Sequence, residues 1–195
     1  MEYTIIRNVI RYGMVNQYTY EIWELPKISV STNYHHYIKQ ASWYAEFNNR
    51  WCVEQSNVFP KRWTDFIPII NAFVTFFYHR KYRILCDGIN VGIVDKCRET
   101  GKITERRRFI IHGKEYFIGI GNTRECYPDG GYEWPIEQGN GKVIAIVKKS
   151  SNEAIYKLKN LGDLPIEILV IMVMMNDIYR FSNENERTIT SAEFG

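Results

Sequence analysis

Apolar and polar residues alternate along much of this chain, and one stretch near the C-terminus breaks the rule. From Ile168 to Met175 no position is polar on any face. A surface helix shows a polar stripe, whereas one that is apolar all round is buried. A membrane span needs about 20 apolar residues, more than this run supplies. Start and stop signals frame the stretch. Asp163 is placed to cap the first turn, and Pro165 sits where a missing N–H costs nothing. Glu167 and Arg180 complement the two ends of the helix dipole. The pattern predicts one helix over 164–180, enclosed by protein, with Leu169, Val170, Met172, Val173 and Asn176 buried.

Before that helix the period is two. Residues 3–8 and 18–24 read as strands, the second with Tyr18, Tyr20 and Ile22 on one face and Thr19, Glu21 and Trp23 on the other. Pro26 ends it, 27–32 forms another short strand, and Asn33 to Tyr37 is loop material. Residues 41–47 and 50–55 flank Asn48-Asn49, two residues that tolerate positive φ, which predicts a hairpin. Residues 59–72 show helical spacing of Trp63, Phe66, Ile67 and Ile70, interrupted by Pro68; 73–78 fits strand or helix. Three hairpins follow: 82–86 with 89–95 around Asp87-Gly88, 102–111 with 115–120 around His112-Gly113-Lys114, and 142–149 with 154–158. Gly121 to Gly131 reads as loop, 132–136 as a short strand, and Gly139 to Gly141 as a tight turn. A sheet of about ten to twelve strands tends to curl or close, and a lumen has to be filled. The fold predicted is mainly β: a closed or nearly closed barrel of about 10–12 strands enclosing the apolar C-terminal helix.

Composition narrows this further. At 195 residues without a visible linker, the chain reads as one domain over 1–187, with 188–195 a disordered tail. Aromatic residues at 15% favour β-structure. A net charge of +3 is no nucleic-acid footprint, so no nucleic-acid partner is expected. Cys52, Cys86, Cys97 and Cys126 have neither CxxC nor zinc-ligand spacing and read as reduced thiols. The first residues lack the apolar core of a secretory signal, which points to a cytoplasmic protein with no transmembrane segment.

Candidate chemistry is sparse. The chain has no GxSxG, Walker loop or HExxH, and Gly119-Ile-Gly121 leads into a loop, not a helix. His35-His36 would point to opposite faces of a strand, and His112 reads as a turn residue. Cys86 and Cys97 read as small hydrophobes, and Met172, Met174 and Met175 as core filling. No catalytic residue, metal site or cofactor is therefore expected. Basic clusters stand out at 79–83, at Arg106-Arg107-Arg108 and at Lys148-Lys149. On a strand Arg106 and Arg108 share a face and Arg107 turns away. The candidate anion-binding residues are Arg80, Lys81, Arg83, Arg106 and Arg108, with a solvated or edge-protecting basic surface as the plainer alternative. Glu99 and Glu105 lie close enough in sequence to neutralise part of the second cluster.

The ladder of 81–158 and the helix carry a resemblance. YRILCDGINVGIVDK, then KVIAIVKK and AIYKLKNLGDLPIEILVIMVMMNDIYRF, resemble the last hairpins and central helix of the Tubby C-terminal-like superfamily, which includes the phospholipid scramblases and LURP-one-related proteins. Asp177 stands where that family often has an acidic residue ending the helix. The likeness covers 81–181, and 1–80 only by strand count; the aromatic segment 59–78 departs from it, and the phosphoinositide-contacting motif of Tubby is not found. The resemblance implies a barrel threaded by its own helix. The leading expectation is a non-enzymatic binding or scaffold domain with a protein partner. The alternative is a membrane-peripheral protein holding anionic lipid or phosphoinositide headgroups through its basic clusters.

Overall fold

The computed structural model describes residues 1–12, 15–25, 29–35, 40–47, 50–55, 81–98, 105–119, 124–125, 131–150 and 154–181. The aromatic segment 59–78 and the tail 188–195 lie outside them, as does Arg80. The strands are β1 (Glu2–Tyr12), β2 (Val15–Ile22), β3 (Ser29–His35), β4 (Gln40–Phe47), β5 (Trp51–Gln55), β6 (Tyr82–Cys86) and β7 (Ile89–Arg98). They continue as β8 (Glu105–Ile111), β9 (Lys114–Gly119), β10 (Arg124–Glu125), β11 (Tyr132–Gln138), β12 (Val143–Lys149) and β13 (Ile155–Asn160). One helix, α1 (Ile166–Phe181), follows. The chain is thus mainly β.

The strands form one antiparallel sheet in the order β10-β11-β12-β13-β1-β2-β3-β4-β5-β6-β7-β8-β9. Except where β13 meets β1, neighbours from β10 to β9 are consecutive in the chain. The N-terminal strand is held by β13, with Glu2 opposite Lys159 and Ile6 opposite Ile155. At the other end of the order, β9 also pairs with β11 through Ile136↔Ile118, Glu137↔Phe117 and Gln138↔Tyr116. The two-residue turns Asp87-Gly88 and His112-Gly113 have φ of 50° and 78°, and of 47° and 75°. Both central residues in the left-handed region match the strand twist, and glycine at the second position carries no steric penalty there.

One face of the sheet is apolar. Ile5, Val9, Tyr18, Tyr20, Ile22, Val53, Tyr82, Ile84, Phe109, Trp134, Val147 and Leu158 are all buried in one cluster with the helix. Every residue of α1 from Ile168 to Asp177 is buried, Leu169, Val170, Met172, Val173 and Asn176 among them. The helix is thus enclosed, as its lack of a polar stripe requires. Each such aliphatic side chain contributes about 1.5–3 kcal/mol on full burial.

Several local readings change. Asn33, Tyr34 and His35 belong to β3, because pairing with both β2 and β4 outweighs their loop-like composition. Arg124 and Glu125, within the stretch read as loop, form β10 against Glu133 and Tyr132. Lys114 opens β9 instead of closing a three-residue turn. The helix begins at Ile166, and Pro165 supplies the first accepting carbonyl to the Leu169 N–H at 3.3 Å. Asp163 therefore lies before the cap position and remains exposed.

Candidate functional site

Register decides what the basic clusters can do. On the outer face Arg108 stands opposite Asp95 in the β7–β8 ladder. Its Nε and Nη2 donate to the two oxygens of Asp95 at 3.0 and 2.7 Å, and its Nη1 reaches Glu115 at 3.3 Å. Arg106 pairs with Glu137 at 2.5 Å, with only 11% and 19% of the two side chains exposed, and its guanidinium lies 5.9 Å from the Phe117 ring centre. Arg106 and Arg108 are thus brought together on one face, inside a network containing three carboxylates. Planar guanidinium forks bond carboxylates in the geometry they would use for a phosphate.

Arg83 lies on β6, beyond β7, and pairs with Glu54 directly opposite it at 2.6 Å. Lys148 likewise meets its cross-strand neighbour Glu133 at 3.2 Å. Lys81 is exposed just before β6. The four described candidates, Lys81, Arg83, Arg106 and Arg108, therefore do not form one patch of unneutralised charge. Arg107 turns to the inner face, as alternation requires, and is only 6% exposed.

The second polar cluster is inside. Asp177, at the start of the fourth turn of α1, is fully buried. Its Oδ2 accepts from Arg7 Nη1 at 2.6 Å and from the Tyr20 hydroxyl at 2.7 Å; its Oδ1 accepts from the Tyr156 hydroxyl. Strands β1, β2 and β13, which are neighbours in the sheet, each contribute one donor. The Arg7 guanidinium also lies 5.5 Å from the Tyr18 ring centre, and Trp134 meets Tyr156 edge to face at 6.4 Å. Burial raises the Asp177 carboxyl above its ordinary pKa, against the lowering effect of Arg7 and the two tyrosines. Burial and the adjacent carboxylate push Tyr20 well above its own.

Arg7 and the two tyrosines were not among the sequence candidates. Their signal was present nonetheless: Arg7 interrupts the inward set Ile5, Arg7, Val9, and a lone cation on an apolar face demands a buried partner.

Among the described residues no group of three or more His, Cys, Asp or Glu could hold a metal ion, and neither Cys52 nor Cys86 is in a disulfide. No helix there is long and apolar enough to cross a membrane. Compared with known proteins, the chain matches no protein-family model, no curated protein and no solved structure.

Proposed function

We propose that the chain is a small non-enzymatic binding or scaffold domain whose sheet closes into a barrel around its own C-terminal helix, the architecture implied by the Tubby C-terminal-like resemblance. The β9–β11 pairing supports closure, since it links β9, at one end of the strand order, to β11, next to the other end. The burial of α1 supports a filled lumen. One observation carries the functional reading. Strongly perturbed titratable groups are where chemistry is normally sought. Here those groups, Asp177 and Tyr20, have 0% exposure and, with Arg7 and Tyr156, are consumed in holding the helix.

The competing reading places anionic lipid on Arg80, Lys81, Arg83, Arg106 and Arg108. Co-sedimentation with vesicles containing phosphatidylserine and phosphoinositide separates the two. At low salt, where screening is weakest, the scaffold reading expects no pelleting that depends on Arg106 and Arg108. Pelleting by the wild type that is lost in the Arg106→Gln/Arg108→Gln variant, with its fold intact by circular dichroism, would replace the scaffold reading by the lipid one.

A further inference from the structure

At the end of the sheet where α1 begins, three chain reversals meet: the β8–β9 turn, the β11–β12 turn and the link from β13 into the helix. Between them lies a cleft of about 270 Å³, just under the ~300–1,000 Å³ range usual for small-molecule sites. Ile111, Ile144 and Leu164 give it an apolar lining, and Lys114, Lys142 and Tyr116 bring polar groups to it. We propose that this cleft binds a small molecule carrying an anionic headgroup, carboxylate or phosphate, on a short apolar body.

Three observations converge on that ligand class. The first is Tyr116, which is only 6% exposed and makes no hydrogen bond to any described residue. Its hydroxyl keeps contact with solvent at the cleft, where a ligand oxygen would accept its proton. The second is charge. Arg50, Arg83, Arg106, Arg108 and Lys148 are each in an ion pair, whereas Lys114 and Lys142 are exposed and pair with no described residue. Glu115, the carboxylate next to Lys114, is turned to Arg108 at 3.3 Å. Asp163 is then the one carboxylate in the lining, against two lysines. The third is α1 itself. Pro165 closes the lining and Ile166 starts the helix, so the positive end of the dipole lies at the cleft. The apolar lining selects against a bare inorganic anion.

The inference rests on the binding-domain reading and names a site and a ligand class for it. The test is a titration of the full chain, followed by calorimetry or ligand-observed NMR, with hexanoate, hexyl phosphate, hexan-1-ol and inorganic phosphate. Hexanoate or hexyl phosphate binds saturably, and hexan-1-ol and inorganic phosphate bind at least tenfold more weakly. Lys114→Gln/Lys142→Gln weakens the anionic probe at least tenfold. Tyr116→Phe weakens it severalfold while its melting midpoint changes little, because the hydroxyl makes no bond to a described residue. Phosphatidylserine vesicles run alongside separate the sources. Pelleting abolished by the lysine variant assigns the headgroup to a membrane lipid; hexanoate binding without pelleting assigns it to a free molecule. Equal affinity for hexan-1-ol, no saturable binding by either anionic probe, or unchanged binding by both variants overturns the proposal. That failure leaves the scaffold reading standing, since the scaffold reading is tested by Arg106 and Arg108 on a different surface.

Discussion

Arg7 and Asp177 are 170 positions apart in the chain, and Arg7 Nη1 lies 2.6 Å from Asp177 Oδ2 with neither side chain exposed. Nearly equal rises separate the two residues from the starts of their elements. Asp177 is eleven residues beyond Ile166, a rise of about 17 Å at about 1.5 Å per residue. Arg7 is five residues beyond Glu2, also about 17 Å at about 3.3 Å per residue. Leu and Met side chains leave the depth and rotation of a helix loosely specified. A carboxylate that must meet three donors from three strands admits one position.

Removing one partner of this pair strands the other. Arg7→Met should cost about 3–5 kcal/mol, the usual penalty for breaking a buried ion pair on one side. The double variant Arg7→Met/Asp177→Leu should recover much of that loss, because an apolar pair needs no desolvated charge. Urea unfolding of wild type, both single variants and the double variant gives the coupling directly. A double variant no more stable than Arg7→Met would show that the tyrosines, not the ion pair, set the cost.

The raised Asp177 pKa predicts a pH dependence with a definite sign. A carboxyl whose folded pKa exceeds its unfolded value, about 3.9, binds more protons in the folded state between the two. Its contribution to stability is complete below pH of about 3.9 and is lost as pH rises through the folded pKa. The stability of wild type minus that of Asp177→Asn should therefore fall across that window and level off above it. A difference that rises with pH would mean that Arg7 and the tyrosines outweigh burial.

Met172 is fully buried in the middle of α1. Met172→Asp places an unpaired carboxylate there, at a cost of several kcal/mol against a total stability of about 5–15 kcal/mol. Expression should yield insoluble or non-cooperatively melting protein. Met172→Leu, a nearly volume-conserving exchange, should cost less than about 1.5 kcal/mol in the same melting experiment.

Gly92 stands opposite Ile111 in the β7–β8 ladder. A Cβ built there would lie 2.5 Å from Ile111 Cδ1 and 2.9 Å from the Ile110 carbonyl oxygen. Gly92→Ala should cost about 1–3 kcal/mol through overpacking. Ile111→Val in the same chain should restore only part of it, since the Ile110 oxygen is backbone. Thermal unfolding of the single and double variants measures both effects.

Much of the fold was legible locally. Asp87-Gly88 and His112-Gly113 announced their hairpins because two left-handed residues in succession are affordable to few sequences. The stretch Ile168 to Met175 announced an enclosed helix because it had no face for water. Asn33 to His35 and Arg124-Glu125 were misread because polar residues become strand when a neighbouring strand supplies their hydrogen bonds. The candidate site was less legible. Arg106 and Arg108 looked like a cationic patch because Glu137, Asp95 and Glu115 lie elsewhere in the chain.

By itself, then, the sequence determined most of the strands, the positions of the Asp87-Gly88 and His112-Gly113 turns and that the last helix must be enclosed. Those properties depend on periodicity and φ preference over a few residues. Tertiary structure alone decided that Arg83, Arg106, Arg108 and Lys148 face carboxylates, that Asp177 meets Arg7, Tyr20 and Tyr156, and that Tyr116 and two lysines line one cleft. Those meetings depend on strand register and on the height of the helix along the sheet. Shifting register by one residue would turn each of these side chains to the opposite face, and a tight turn fixes the register only of the two strands it joins.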